Sequence, residues 1–345
     1  MGLYQIYKQG PEFVLRYNCS FYNVDDVPLE KRQHRFFAVI VFTLGVIFLT
    51  LYCPCIYALI RLSKSNFCYK LMIAMSLQDI VTLFCTTLFP AFQSYHGYVY
   101  CSNPILSLII GSFIISFWIA YSQTSLLLAI NRSLCFSTSY QHIFEGKKQY
   151  LLLSLPWLIC MYVLLFGTSG AYSSISNGWY FDPHRGYKND VDSIYSSPIQ
   201  FWNNIIFIIS LPIIYVLFVF KNFGFTNNAR NIPKKEIALF VQTVVVNFAI
   251  AMAALGYTVM QYITSLPQEV IALSHITWVL VSGALPVVLL TMNTSVRKII
   301  KNGNETSTRA QGSRTQATTR TATRTTQVNT RTRVSPLTQP DTSPA

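Results

Sequence analysis

From Phe36 to Ile60 the chain carries no charged side chain, and Arg35 and Arg61 bracket the run. About 20 mostly apolar residues suffice for a helix to cross a bilayer. Six further segments of this kind follow, at 71–93, 104–130, 150–171, 199–220, 237–264 and 270–292. Across all seven the only carboxylate is Asp79, and there is no lysine or arginine. Charged residues make up 11% of the chain, against about 25% in an ordinary soluble domain. The pattern predicts an all-α membrane protein, a seven-transmembrane helix bundle over residues 36–292. It excludes a soluble enzyme, a disordered regulator and a disulfide-rich secreted module.

Lysine and arginine set the orientation, because they accumulate in cytoplasmic loops. With the N-terminus outside, the outer segments (1–35, 94–103, 172–198 and 265–269) hold seven of them and the inner segments hold nineteen. The N-terminus is therefore expected outside and the C-terminus inside. No apolar core precedes residue 36, so the first span is expected to act as an uncleaved anchor. Asn18-Cys19-Ser20 is then an outer glycosylation sequon at Asn18. The matches starting at Asn131, Asn293 and Asn304 fall on the inner side and are read as chance.

Residues 293–302 (NTSVRKIIKN) suit a short amphipathic helix in the inner interface. The tail over 303–345 is expected to be disordered, because Thr, Ser and Arg dominate it and it has no aromatic residue. A basic tail drawn to anionic lipid and a phosphorylation target are compatible readings of it.

Several chemistries fail on the residues. Ion-coupled transport places several ionisable groups at membrane depth, and here only Asp79 and His275 lie there. A retinal Schiff base needs a lysine in the last span, and Val270–Met292 has none. Gly167-Thr168-Ser169-Gly170 matches the GxSG pattern of rhomboid-type proteases, but it sits at the outer end of the fourth span and runs into a polar loop. Small residues at a helix terminus are the plainer reading, and no enzyme is expected. The eight cysteines form no CxxC pair, so neither a zinc site nor another cofactor is expected. The basic residues are not interleaved with aromatics as a nucleic-acid surface requires.

Several local patterns resemble those of G-protein-coupled receptors. Ser76-Leu77-Gln78-Asp79 places an acid two turns into the second span. Asn131-Arg132-Ser133 ends the third span like a variant of the Asp-Arg-Tyr element. Pro212 lies in the fifth span, and Pro286 with the run VVLLTM up to Asn293 resembles a degenerate Asn-Pro-x-x-Tyr element. The sixth span has no proline, and the loop 172–198 has no cysteine to pair with Cys101. These departures fit nematode chemosensory receptors better. Asn18-Cys19-Ser20-Phe21-Tyr22, Cys68-Tyr69-Lys70 and Asn131-Arg132 stand in the order and places that resemble serpentine receptor class T, over about residues 15–300. The resemblance implies detection of a small odorant or tastant in the ciliary membrane of sensory neurons, with signalling through a heterotrimeric G protein. The competing reading is a seven-span transporter without G-protein coupling.

Asp79 is expected to face the bundle, bond to hydroxyls such as Ser282 and bias the inactive–active equilibrium; alternatively it only packs helices. Arg132 is expected to reach neighbouring helices and the G protein, or to be a flanking inner charge. Asn131, Pro286 and Asn293 complete the expected switch set. Cys19 and Cys101 are the only outer cysteines in an oxidising compartment, so they are expected to pair, with two free thiols as the alternative. A ligand pocket is expected between the third, fifth, sixth and seventh spans, lined by Phe113, Asn204, Tyr257, Gln261 and His275. No acid lies in the third span, which favours a small neutral ligand over an amine. His96, His142 and His184 are read as surface residues, and Pro54, Pro156, Pro212 and Pro286 as kinks.

Overall fold

A computed structural model of the chain describes residues 2–20, 23–64, 66–134, 142–186, 194–223, 234–263 and 266–302. In hydrocarbon every backbone N–H and C=O must find its partner within the segment, and the apolar runs accordingly form long helices. The first span is Arg35–Leu62. The second runs from Phe67 to Leu83, passes through a π turn at Phe84–Leu88 and continues over Phe89–His96. Pro104–Leu134 is the third, Lys148–Phe166 the fourth, Pro198–Phe223 the fifth and Lys234–Tyr262 the sixth. Six of these helices are long and apolar enough to cross a membrane. The seventh span is a pair, Gln268–Ser282 and Ala284–Met292, bent by 44°.

Two expectations are corrected. The fourth helix stops at Phe166 rather than 171, because Gly167 leaves the helical conformation and caps it on the Val163 carbonyl. Residues Ala171–Ser173 and Gly178–Tyr180 instead pair as a short antiparallel hairpin, with Tyr172 opposite Trp179. In the seventh span the break falls at Gly283, not at Pro286. Pro54, Pro156 and Pro212 lie inside continuous helices. Gly283 is required by its neighbour, since a Cβ there would meet the Phe48 ring at 2.4 Å.

The hairpin is pressed onto the third span. A Cβ on Gly111 would fall 1.7 Å from the Gly170 carbonyl oxygen, and the Ser169 hydroxyl donates to the Leu108 carbonyl at 2.6 Å. On the same end, helices Leu3–Lys8 and Pro11–Tyr17 contribute Ile6 and Tyr17 to a small core with Tyr100, Leu108 and Ala171. Burial pushes the Tyr17 phenol up to about 12. Cys19 is joined to Cys101, and the Tyr100 hydroxyl donates to the Tyr17 carbonyl at 3.0 Å. Arg32 fastens the next stretch: its guanidinium donates to the Gly97 and Val27 carbonyls and forms an ion pair with Asp25 at 2.8 Å.

At the opposite end, Asn293 caps the helical residues 294–302, its Oδ1 accepting from the Ser295 and Val296 amides at 3.1 Å. The tail over 303–345 lies outside the described residues.

Overpacking a filled contact destabilises by about 1–3 kcal/mol, so Gly283→Ala is expected to lower the thermal unfolding midpoint in detergent, and adding Phe48→Leu to restore most of the loss. An unchanged midpoint in the single variant would refute the close packing at the bend.

Candidate functional site

Below the hairpin lies a cavity of about 490 Å³. Its wall draws Ile115 from the third span, Gln200 and Trp202 from the fifth, Tyr257 and Met260 from the sixth and Trp278 from the seventh, with Trp179, Tyr180, Asp182, Arg185 and Tyr195 closing it from the hairpin and the loop beyond. The wall is rich in aromatic side chains and carries one charge of each sign. Arg185 lies over the Tyr180 ring at 5.3 Å, while Asp182 accepts from the His184 amide at 2.9 Å. Burial raises the Tyr180 phenol above its ordinary range.

Of the five residues expected to line a pocket, Tyr257 does so. Phe113 sits two residues from Ile115, about 200° round the helix, and stacks on Phe117, which meets Trp157 of the fourth span. Asn204 ties three spans together: its Oδ1 accepts from the Trp118 indole at 3.0 Å and its amide donates to Thr258 at 3.1 Å. His275 is buried with Nε2 at 2.9 Å from the Thr86 carbonyl and its ring against Phe37 and Tyr172. The Gln261 side chain lies outside the described residues. His184, expected on the surface, is 3% exposed and packs edge-on against Tyr100 and Tyr195. Its position beside the Cys19–Cys101 bridge follows from loop folding that no helical period encodes. His96 and His142 are exposed.

Asp79 is buried and accepts from the Tyr52 hydroxyl at 2.7 Å. The same hydroxyl lies 2.9 Å from the Ser282 backbone carbonyl, and Tyr121 of the third span approaches the carboxyl as well. The expected link to Ser282 thus runs through Tyr52 and ends on backbone, not on the serine hydroxyl. Tyr52 carries no motif in the sequence; a tyrosine in an apolar run reads as ordinary lipid-facing or core aromatic.

Arg132 is 1% exposed. Its guanidinium donates at 3.2 Å to the side-chain oxygens of Asn131 and of Asn66, which caps the second span by accepting from the Cys68 amide. The arginine therefore reaches the second span, and it is covered rather than presented at the surface. Pro286 offers its carbonyl to the Cys55 thiol at 3.7 Å, and Asn293 donates to Gln242 of the sixth span at 3.4 Å. Asn18 accepts from the Ser20 amide and hydroxyl within its own turn. The GxSG serine is engaged by Leu108 and His275 by Thr86, so these two side chains form no nucleophile–base pair.

Tyr52→Phe removes a buried donor from Asp79 and is expected to lower stability by about 1–3 kcal/mol. Ser282→Ala keeps the backbone carbonyl and is expected to shift it by about 0.5 kcal/mol or less. Unfolding curves of the two variants separate the two routes, and equal losses would contradict the Tyr52 link.

Comparison with known proteins agrees with this architecture. Over residues 3–310 the chain matches the serpentine type 7TM GPCR chemoreceptor family Srt. It is 22% identical over 290 residues to serpentine receptor class T-55 of Caenorhabditis elegans, an alignment that spans 82% of this chain and 78% of that receptor. A match that spans the whole helical bundle decides the matter: the chain is a multi-pass membrane protein that belongs to the Srt family of serpentine seven-transmembrane chemoreceptors.

Proposed function

We propose that this chain is a chemosensory receptor that takes a small neutral odorant or tastant in the cavity beneath the hairpin and signals through a heterotrimeric G protein at the Arg132 end of the bundle. In this reading the N-terminus and hairpin face outward, the tail lies in the cytoplasm and the site of action is the sensory cilium. The observation that carries it is the cavity itself. It collects side chains from four spans and two loop segments at one end, and its about 490 Å³ falls in the roughly 300–1,000 Å³ range of small-molecule sites. The lone aspartate and the single guanidinium in the wall balance, which favours a neutral ligand over an ion.

A ligand in this cavity touches Trp278, which precedes the Gly283 bend in the same span. Beyond the bend, Asn293 is bonded to the sixth span through Gln242. Occupancy at one end therefore acts on an element whose other half meets the helix next to the coupling face. Asp79 and Tyr52 hold that element at Ser282, at the bend, and so set how readily it moves. Arg132, covered at rest, becomes available to the G protein when the second and third spans part.

The deciding measurement is guanine-nucleotide exchange on a panel of purified G proteins, with the receptor in nanodiscs. Compound-driven exchange is expected for wild type, to fall by about tenfold or more in Arg132→Ala, within the range of ordinary allosteric coupling, and to change its basal level in Asp79→Asn. Met260→Trp, which fills the cavity, is expected to abolish the response to compound while leaving basal exchange. Folded protein that drives no exchange but carries saturable solute flux in proteoliposomes would favour the transporter reading instead.

A further inference from the structure

Buried tyrosine hydroxyls and tryptophan N–H groups usually find a hydrogen-bond partner, and one layer below the cavity two of them do. Trp118 donates to Asn204, and Tyr52 is bonded to Asp79. Around the cavity the pattern changes. The indole N–H groups of Trp179 and Trp278 and the hydroxyl of Tyr257 are buried and make no hydrogen bond with any described residue. Trp278 stands edge-on to Tyr257 at 4.6 Å and to Trp118 at 5.3 Å, so the satisfied and unsatisfied indoles are direct neighbours. The fold could supply acceptors here, as Asn204 shows, yet among the described residues none reaches these three donors. A buried donor left without a partner costs about 1–3 kcal/mol, and three beside one cavity are a concentrated liability.

Their chemistry is one-sided. An indole N–H only donates, and a phenol donates readily. Among the buried wall atoms that make no hydrogen bond, the Gln200 Oε1 is an acceptor, and Asp182 adds a carboxylate to the same wall, so the donors outnumber the acceptors. Asp182 and Arg185 bring one charge of each sign, so the wall favours neither a cation nor an anion. The donors are set into the wall, and engaging a ligand asks for a turn of the ring.

We infer that the cavity selects neutral molecules whose polar group is a hydrogen-bond acceptor, a ketone, ester or lactone carbonyl, received by the donors of Trp278, Tyr257 and Trp179. This rests on the reading of the cavity as the ligand site and adds the ligand's chemical class to it. The aromatic faces take the hydrocarbon part. An alcohol of the same shape accepts equally well but brings a donor into a wall where donors outnumber acceptors, so it ranks below the ketone. An amine is cationic at neutral pH and must leave its hydration behind for a wall of no net charge.

The test is isothermal titration calorimetry of the receptor in nanodiscs, with empty nanodiscs as blank. The probes are methyl cyclohexyl ketone, 1-cyclohexylethanol, 1-cyclohexylethylamine and ethylcyclohexane, together with the matched straight-chain set built on 2-heptanone. The ketones are expected to bind about tenfold or more tighter than the hydrocarbons, the difference one well-made buried hydrogen bond produces. Tyr257→Phe and Trp278→Phe keep a ring in place and remove a donor. Each is expected to weaken ketone binding by about threefold to tenfold while leaving the hydrocarbon unchanged. Because the deleted donors make no bond with any described residue, the unfolding midpoint of Tyr257→Phe is expected to match or exceed wild type, which separates lost recognition from lost folding.

Equal affinity for ketone and hydrocarbon, or a preference for the amine, overturns the inference. So does failure of every ketone while some other compound drives nucleotide exchange that Met260→Trp abolishes; the cavity then stands as the ligand site with a different ligand class. Exchange that no compound drives, with no binding by any probe, removes both readings together.

Discussion

Helices that share a hydrocarbon solvent gain little by hiding apolar side chains from it, so a membrane bundle is held by close packing and by polar groups that find each other. The third span shows how much rests on that constraint. Its Thr124 accepts from Gln78 of the second span, and its Ser122 and Gln123 meet Asn203 of the fifth. Trp118 bonds to Asn204, which passes the link to Thr258 of the sixth span. Ser125 donates to Asn247, which itself donates to Tyr215 of the fifth. At the hairpin end Gly111 lets the backbone of the loop come into direct contact. Removing this central post would leave the second, fifth and sixth spans without their common partner.

The parts of the fold legible in the sequence are those that a bilayer dictates. Charge-free runs of the right length show the helices, and the scarcity of ionisable groups makes Asp79 stand out by residue type alone. Helix ends are less legible where a glycine decides them. Nothing in the run from Tyr150 to Ala171 says that the helix stops at Phe166, since Gly167 is as compatible with a membrane helix as with its end. The bend at Gly283 is hidden for a related reason. Proline advertises a kink, whereas this break depends on Phe48, more than two hundred positions earlier.

The cavity wall divides along the same line. Tyr257 is legible because polar and aromatic residues at one end of a span are natural candidates. Asn204 and His275 have the same appearance, and only the three-dimensional arrangement shows that Asn204 is engaged by Trp118 and Thr258 and the His275 Nε2 by the Thr86 carbonyl. Trp179, Tyr180 and Arg185 belong to a loop whose path no periodicity encodes, and the burial of His184 follows from that path. The residues missed are therefore of one kind: their role is set by contacts far along the chain rather than by local pattern.

The bridge from Cys19 to Cys101 has a consequence beyond holding down the N-terminal segment. With its ends 82 positions apart in the sequence, it closes a covalent ring that contains the whole of the first and second spans. The turn joining those two spans, near Ser63 and Lys64, is therefore a point on a closed circuit and no longer a unique connection. Severing the backbone there would leave one molecule, its first helix still moored through Cys19 to the threshold of the third, until a reductant opened the circuit at its other side.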